Sequence, residues 1–287
     1  METIKLNNGV TMPQLGFGVF QVDDLAVCRR AVGAAITAGY RLFDTAQAYH
    51  NERAIGQAIK DSGITRDQFF ITSKLWITNT QGTAPEQSIN NSLRELGTDY
   101  IDLYLIHMPF GDSFNAWRAM EKAVKAGKLR AIGVSNFSPD QITNLMLFND
   151  LKPAINQIEV NPWNQQKTLV NFNQQNSIQT EAWAPFAEGK RNIFNNPILT
   201  SIAKDHHKKV GQVILRWLIQ REIVAIPKSV HINRISENIN IFDFRLSDEE
   251  MDKISQLDQH HSDFFDPHDP DAINAIVSGG RPGANEN

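Results

Sequence analysis

The chain has 287 residues and one cysteine, is 41% hydrophobic and 21% charged, and carries a formal net charge of -4 at pH 7. A slightly acidic chain with no Lys/Arg-rich run gives no footprint for nucleic acid, and a lone Cys28 excludes an intramolecular disulfide and a cysteine-based zinc cluster. No stretch reaches the ~20 apolar residues that span a bilayer. The opening Met1-Glu2-Thr3-Ile4-Lys5-Leu6 lacks the apolar run of a secretion signal, so the cytoplasm is the expected compartment.

Asn8-Gly9 lies between Ile4–Leu6 and Val10–Met12 and predicts a hairpin outside the main core, as a lid or plug. A regular alternation then begins. Short apolar runs at residues 14–17, 40–43, 69–72, 101–106, 131–134, 154–158, 178–182 and 224–226 read as strands. Amphipathic patterns at 25–38, 52–62, 85–96, 114–126, 139–148, 168–175 and 198–219 (one or two pieces) read as helices. Leu93, Leu96, Ala116, Met120, Ala123 and Val124 recur at the three- and four-residue spacing of half-buried helices. Strand–helix alternation repeated about eight times predicts a parallel sheet closed into a (β/α)8 TIM barrel, as a single α/β domain over 1–287. Helical patterns follow at 233–240 and 247–257, the second opened by the capping box Ser247-Asp248-Glu249-Glu250. The tail, 259–287, is expected to be irregular and to end in a mobile Gly279-Gly280-Arg281-Pro282-Gly283.

Such a barrel carries its chemistry at the C-terminal ends of its strands. There stand Asp44 with Tyr49 in the following loop, then Lys74, His107, Ser135 and Asn136, Gln157, Trp183, and Lys228 and Ser229. A free tyrosine, with a pKa of about 10, is a poor acid at neutral pH. A neighbouring ammonium lowers that value. Lys74 can supply it, Asp44 can hold Lys74 protonated, and His107 can orient the oxygen that receives the proton. A tuned tyrosine that protonates an oxygen is what carbonyl reduction needs.

Three motifs make the chain resemble the aldo-keto reductases over nearly its whole length, nearest the bacterial diketogluconate-reductase branch. They are Gly39-Tyr40-Arg41-Leu42-Phe43-Asp44-Thr45-Ala46 with Glu52 and Gly56, Arg130-Ala131-Ile132-Gly133-Val134-Ser135-Asn136-Phe137, and Ile226-Pro227-Lys228-Ser229 with Arg234, Glu237 and Asn238. The resemblance implies a monomeric barrel and an NADPH-dependent reduction of aldehydes and ketones. It implies a tetrad of Asp44, Tyr49, Lys74 and His107, with Tyr49 the general acid. For NADPH/NADP+ it implies Gly18, Ser135, Asn136, Gln157, Trp183, Pro185, Phe186, Lys228, Ser229, Val230, Arg234, Glu237 and Asn238. Of these, Lys228, Ser229 and Arg234 suit the adenosine 2′-phosphate dianion.

The chain departs from the common pattern at Val19 and Phe20, where relatives often carry Thr and Tyr, and at Met108, where many carry Trp. Gly16-Phe17-Gly18 lacks the third glycine of a dinucleotide fingerprint, which disfavours a Rossmann domain. Phe20, Trp76, Met108 and Phe110 are expected to line a pocket for a small carbonyl substrate, with a lid from Phe264 or Phe265. No metal site is expected. His206-His207 and His260-His261 lack metal geometry, and Asp263, Asp266, His268, Asp269 and Asp271 read as a solvated acidic loop. The competing reading is a catalytically silent nicotinamide-binding sensor on the same barrel, which has no need of an intact tetrad.

Overall fold

The computed structural model describes residues 2–278. Ten strands occur among them: β1 (Thr3–Lys5), β2 (Thr11–Pro13), β3 (Phe17–Gly18), β4 (Leu42–Asp44), β5 (Phe70–Leu75), β6 (Ile101–Ile106), β7 (Leu129–Ser135), β8 (Ile155–Glu159), β9 (Gln179–Trp183) and β10 (Val224–Ala225). The helices are α1 (Leu25–Ala38), α2 (Glu52–Asp61), α3 (Ala84–Leu96), α4 (Ser113–Lys125), α5 (Pro139–Leu147), α6 (Lys167–Gln175), α7 (Pro197–Asp205), α8 (Val210–Gln220), α9 (Ile232–Ile239), α10 (Asp248–Ser255) and α11 (Pro270–Val277).

Eight parallel strands run in order from β3 to β10. The ring closes where Leu15 pairs in parallel with Ala225 and the Gly16 amide donates to the Ala225 carbonyl at 2.8 Å. The (β/α)8 expectation is therefore met. The central strands β5 and β6 are buried at every position, as strands covered on both faces must be. Side chains of Leu42, Phe70, Leu103, Leu105, Ile155 and Val224 fill the barrel interior. The hairpin β1–β2 plugs one end, with Leu6 and Met12 buried against that interior cluster. Asn7 and Asn8 donate to the carbonyls of Pro153 and Arg130, which places the plug at the N-terminal ends of β7 and β8. The opposite end is left free for chemistry.

The helices begin and stop where local chemistry says they should. Asp24 caps α1 by accepting from Ala26 and Val27, and Gly39 ends it in the left-handed region at φ 106. Ser247 and Glu250 form the predicted capping box of α10. A Cβ on Gly56 would meet the Leu96 carbonyl oxygen at 2.1 Å, so α2 and the end of α3 touch only because residue 56 has no side chain.

One expectation is corrected. The tail is not irregular throughout, because Asp269 accepts from the Asp271 amide and starts α11 with Pro270 in its first turn. The stretch 198–219, expected as one or two pieces, is two helices, interrupted by His207 at φ 54. The expectation for Gly279–Gly283 lies outside the described residues. Among the described residues no helix is long and apolar enough to cross a membrane, and no group of three or more His, Cys, Asp or Glu is placed to hold a metal ion.

Candidate active site

Asp44 is the last residue of β4, Lys74 lies on β5, and His107 follows β6 directly. Tyr49 ends a short 3-10 turn, Gln47–Tyr49, immediately after β4. That turn is pinned from below. Buried Asn51 accepts from the Thr45 hydroxyl at 2.7 Å and donates to the Val19 and Val22 carbonyls at 3.0 and 3.2 Å. Gln47 donates to the Ser88 carbonyl at 2.9 Å and accepts from the Trp76 amide at 3.3 Å.

The four residues converge. Lys74 Nζ donates to Asp44 Oδ1 at 2.5 Å and to the Thr45 carbonyl at 3.0 Å, and Lys74 is fully buried. Nζ also sits 5.1 Å from the centroid of the Tyr49 ring. The Tyr49 hydroxyl lies 3.4 Å from His107 Nε2. Phe20 packs on Tyr49 with ring centroids 5.0 Å apart, and Trp76 packs edge-on to His107 at 5.1 Å.

The electrostatics follow from burial around one cation. Desolvation holds the Tyr49 phenol above its usual value, with Lys74 pulling in the opposite direction. The expected lowering by Lys74 is thus present but outweighed, and Tyr49 is a protonated phenol at neutral pH. Burial disfavours charged Lys74, but Asp44 and Tyr49 together hold its ammonium above its usual range. Burial and the nearby Lys74 charge push His107 well below the usual imidazole value, so the ring is neutral. His107 Nδ1 is buried without a hydrogen-bond partner. A buried N–H left unpaired is costly, which favours the tautomer with its proton on Nε2, aimed at the Tyr49 hydroxyl.

The polar groups expected at the nicotinamide are partly engaged by the protein itself. Ser135 Oγ donates to the Gln157 carbonyl at 2.9 Å, and Gln157 Nε2 donates to Asp44 Oδ2 at 2.8 Å. Asn136, in the left-handed region at φ 62, accepts from Trp183 Nε1 at 2.9 Å. Its amide nitrogen lies 3.3 Å from Met108 Sδ. Asn136 therefore fixes the Trp183 ring. Phe264 packs edge-on to that ring at 5.3 Å, and Phe265 stacks on it at 6.2 Å and 5°. Both tail phenylalanines reach the barrel mouth.

Lys228 and Arg234 are exposed and, among the described residues, neither has an ion-pair partner. Buried Ser229 accepts from the His231 amide at 3.1 Å at the start of α9. Two free cations beside a helix N-terminus fit a phosphate dianion. Gly18 brings its backbone close to that of Ile226 and donates to the Pro227 carbonyl at 3.1 Å. Phe186 and Asn238 converge on the bare Gly211. Pro185 is buried, Glu237 is half-buried, and Val230 is exposed.

Trp76, Met108 and Phe110, expected to line a substrate pocket, lie in an apolar region. Met108, Ile77 and Ile276 of α11 form a buried cluster against which Trp76, Phe110 and Phe265 pack. Met108 is 3% exposed, so the tail helix covers it more than the sequence indicates. The acidic tail is not simply solvated. Arg191 Nε and one terminal nitrogen each lie 2.6 Å from Asp263 carboxylate oxygens, and Lys190 donates to the Asp263 carbonyl at 2.9 Å. Asp266 caps the His268 amide. Sequence reasoning missed Arg191 and also Glu181, a fully buried carboxyl on β9. For Glu181 a signal exists, since it alternates with Trp183 on the interior face.

With this geometry in place, the comparisons agree with it. The profile of the Aldo/keto reductase family matches residues 14–259. Glyoxal reductase of Bacillus subtilis (strain 168) is 46% identical over 259 residues, 90% of this chain and 93% of that protein. An aldo-keto reductase from a Medee basin deep-sea metagenome library superposes with a TM-score of 0.90 at 40% identity, covering 93% of this chain and 99% of that one. The Bombyx mori aldo-keto reductase solved in complex with NADP superposes with a TM-score of 0.88 at 36% identity, covering 99% of both chains. The family match and these relatives, on a barrel of this topology, mark an oxidoreductase of the carbonyl-reducing class. The chain belongs to the aldo/keto reductase family, whose cofactor is NADP(H).

Proposed function

We propose that the protein reduces small aldehydes, ketones and dicarbonyls with NADPH, using Tyr49 as the proton donor, and that it works as a cytoplasmic, single-domain monomer. The observation that carries this reading is the Tyr49 hydroxyl, 3.4 Å from neutral His107 and above a Lys74–Asp44 pair. Bound NADPH supplies the hydride that reaches the carbonyl carbon. His107 Nε2–H donates to the carbonyl oxygen and orients it. Tyr49 gives its proton to the same oxygen as negative charge develops there. Lys74 stabilises the phenolate that remains, and Asp44 keeps Lys74 charged. Trp76, Phe20 and the tail phenylalanines exclude water, which strengthens each of these interactions.

Gly18, Ser135, Asn136, Gln157, Trp183, Pro185, Phe186, Lys228, Ser229, Val230, Arg234, Glu237 and Asn238 are the residues proposed to hold the cofactor. Phe20, Trp76, Met108 and Phe110 are proposed to shape the substrate pocket. The apolar cluster around Met108 and the likeness to a glyoxal reductase favour small dicarbonyls. The test is NADPH and NADH consumption by the purified protein with methylglyoxal. Faster loss of NADPH supports both the reaction and the phosphate-binding role of Lys228, Ser229 and Arg234. Equal use of the two cofactors rejects that role. No turnover with either, across a panel of small carbonyls, rejects the reaction.

A further inference from the structure

Glu181 is a buried acid that the mechanism above does not use. It lies in the middle of β9, in register with Gln157 on β8 and Val224 on β10. It is 0% exposed, and neither of its carboxylate oxygens has a hydrogen-bond partner. Its surroundings explain why. Lys74 donates to Asp44 and to the Thr45 carbonyl, and the amide of Gln157 donates to Asp44. One ammonium is thus already matched by one carboxylate. A second buried carboxylate with no cation of its own, and only the already engaged Gln157 amide near it, would be an uncompensated charge, which is costly in a barrel interior.

We propose that Glu181 is a positioning residue, a neutral carboxylic acid beside the Asp44–Lys74 pair whose loss of a proton weakens the pull of Lys74 on Tyr49. The charged and titratable groups around it are Asp44 from β4, Lys74 from β5 and Tyr49 from the turn after β4; β8 and β10 present Gln157 and Val224. Burial, with the Asp44 charge adding to it, raises the Glu181 carboxyl to about 8, and Lys74 and the Gln157 amide oppose the rise. When ionised, Glu181 raises both Tyr49 and Lys74. The sign follows. Below its own titration Glu181 is silent. Above it, the added negative charge keeps the Tyr49 phenol protonated to higher pH. An enzyme run in reverse, with the Tyr49 phenolate as base, then gains rate later on the alkaline side than it would without Glu181.

The inference takes Tyr49 as the acid of the proposed reaction, but its test needs no turnover. Infrared difference spectra of the cofactor-free protein, recorded as the pH rises, report carboxylic acid C=O bands. Glu52 and Glu159 are also buried acids held above the usual range, so the Glu181 band is identified by comparison with Glu181→Gln. Tyrosinate absorbance, with the Tyr49→Phe protein subtracted, follows Tyr49 alone. The expected result is a C=O band in the wild type that disappears as the pH passes about 8 and is missing in Glu181→Gln, with Tyr49 titrating at lower pH in that variant. Should Glu181→Gln fail to fold, Glu181→Met removes the same acid with an apolar side chain of similar length and is expected to shift Tyr49 in the same direction. A wild type without the band, or Tyr49 titration curves that superimpose in wild type and variant, overturns the proposal. Loss of carbonyl reduction elsewhere would count against the reaction and leave these two readouts unaffected.

Discussion

At the scale of single residues, the site is a set of charges arranged around one buried ammonium. Lys74 has no exposed surface, and its partner Asp44 is 2% exposed. Removing one member of such a pair strands the other. Lys74→Met is expected to lose about 3–5 kcal/mol of stability in urea unfolding, and to lower kcat by about 10²–10⁴. His107 and Tyr49 set the pH behaviour. His107 is held well below 6.5, so it stays neutral as pH falls through the ordinary imidazole range. Tyr49 is held above 10, so the donor stays protonated as pH rises through neutrality. A kcat/KM profile for reduction should therefore show no acid limb near 6.5 and decline only on the alkaline side. A limb at the ordinary imidazole value would show that His107 is charged in the working range. The convergence of Asp44, Tyr49, Lys74 and His107 on one rim was legible because each lies at or beyond the end of an apolar run, and the resemblance implied the same four. Glu181 was not singled out, because its alternation with Trp183 places it inside the barrel but does not link it to Asp44 until β8 and β9 are placed in register.

At the scale of elements, backbone contact decides what can be read. The strand–helix alternation is written in apolar spacing, and β6 and α1 have the limits the pattern predicts. Among the boundaries that moved, β4 runs on to Asp44 and β5 runs through Lys74 to Leu75, because pairing continues through these polar residues. The tail helix α11 was missed because Asp and Pro at residues 266–271 read as loop. The same Asp269-Pro270 pair is a helix start once Ile276 has a cluster to enter. Close packing between elements yields two stability tests. Gly56→Ala places a Cβ against the Leu96 carbonyl and should cost about 1–3 kcal/mol, with α2 and α3 forced apart. Asp102 is fully buried and accepts from Arg66, Arg130 and the Ile71 amide. Asp102→Ala should cost about 3–5 kcal/mol, measured by urea unfolding with Tyr49 and Lys74 untouched.

At the scale of the molecule, the barrel separates stability from chemistry. The hairpin closes one end, while the other gathers strand ends, the 187–195 segment and the tail. The exposed cations Lys228 and Arg234 are the proposed phosphate site. Arg234→Ala should raise KM for NADPH by about tenfold or more, consistent with one charged hydrogen bond of about 1.5–3 kcal/mol, and leave KM for NADH nearly unchanged. Equal effects on both cofactors would place Arg234 outside the phosphate site. The central claim, that Tyr49 delivers the proton in carbonyl reduction, is tested most directly by one paired measurement. Wild type and Tyr49→Phe are compared for NADPH binding by fluorescence and for NADPH consumption with methylglyoxal. The account predicts nearly equal binding and a loss of turnover of at least about 10²-fold in the variant. Turnover close to wild type in Tyr49→Phe would contradict it.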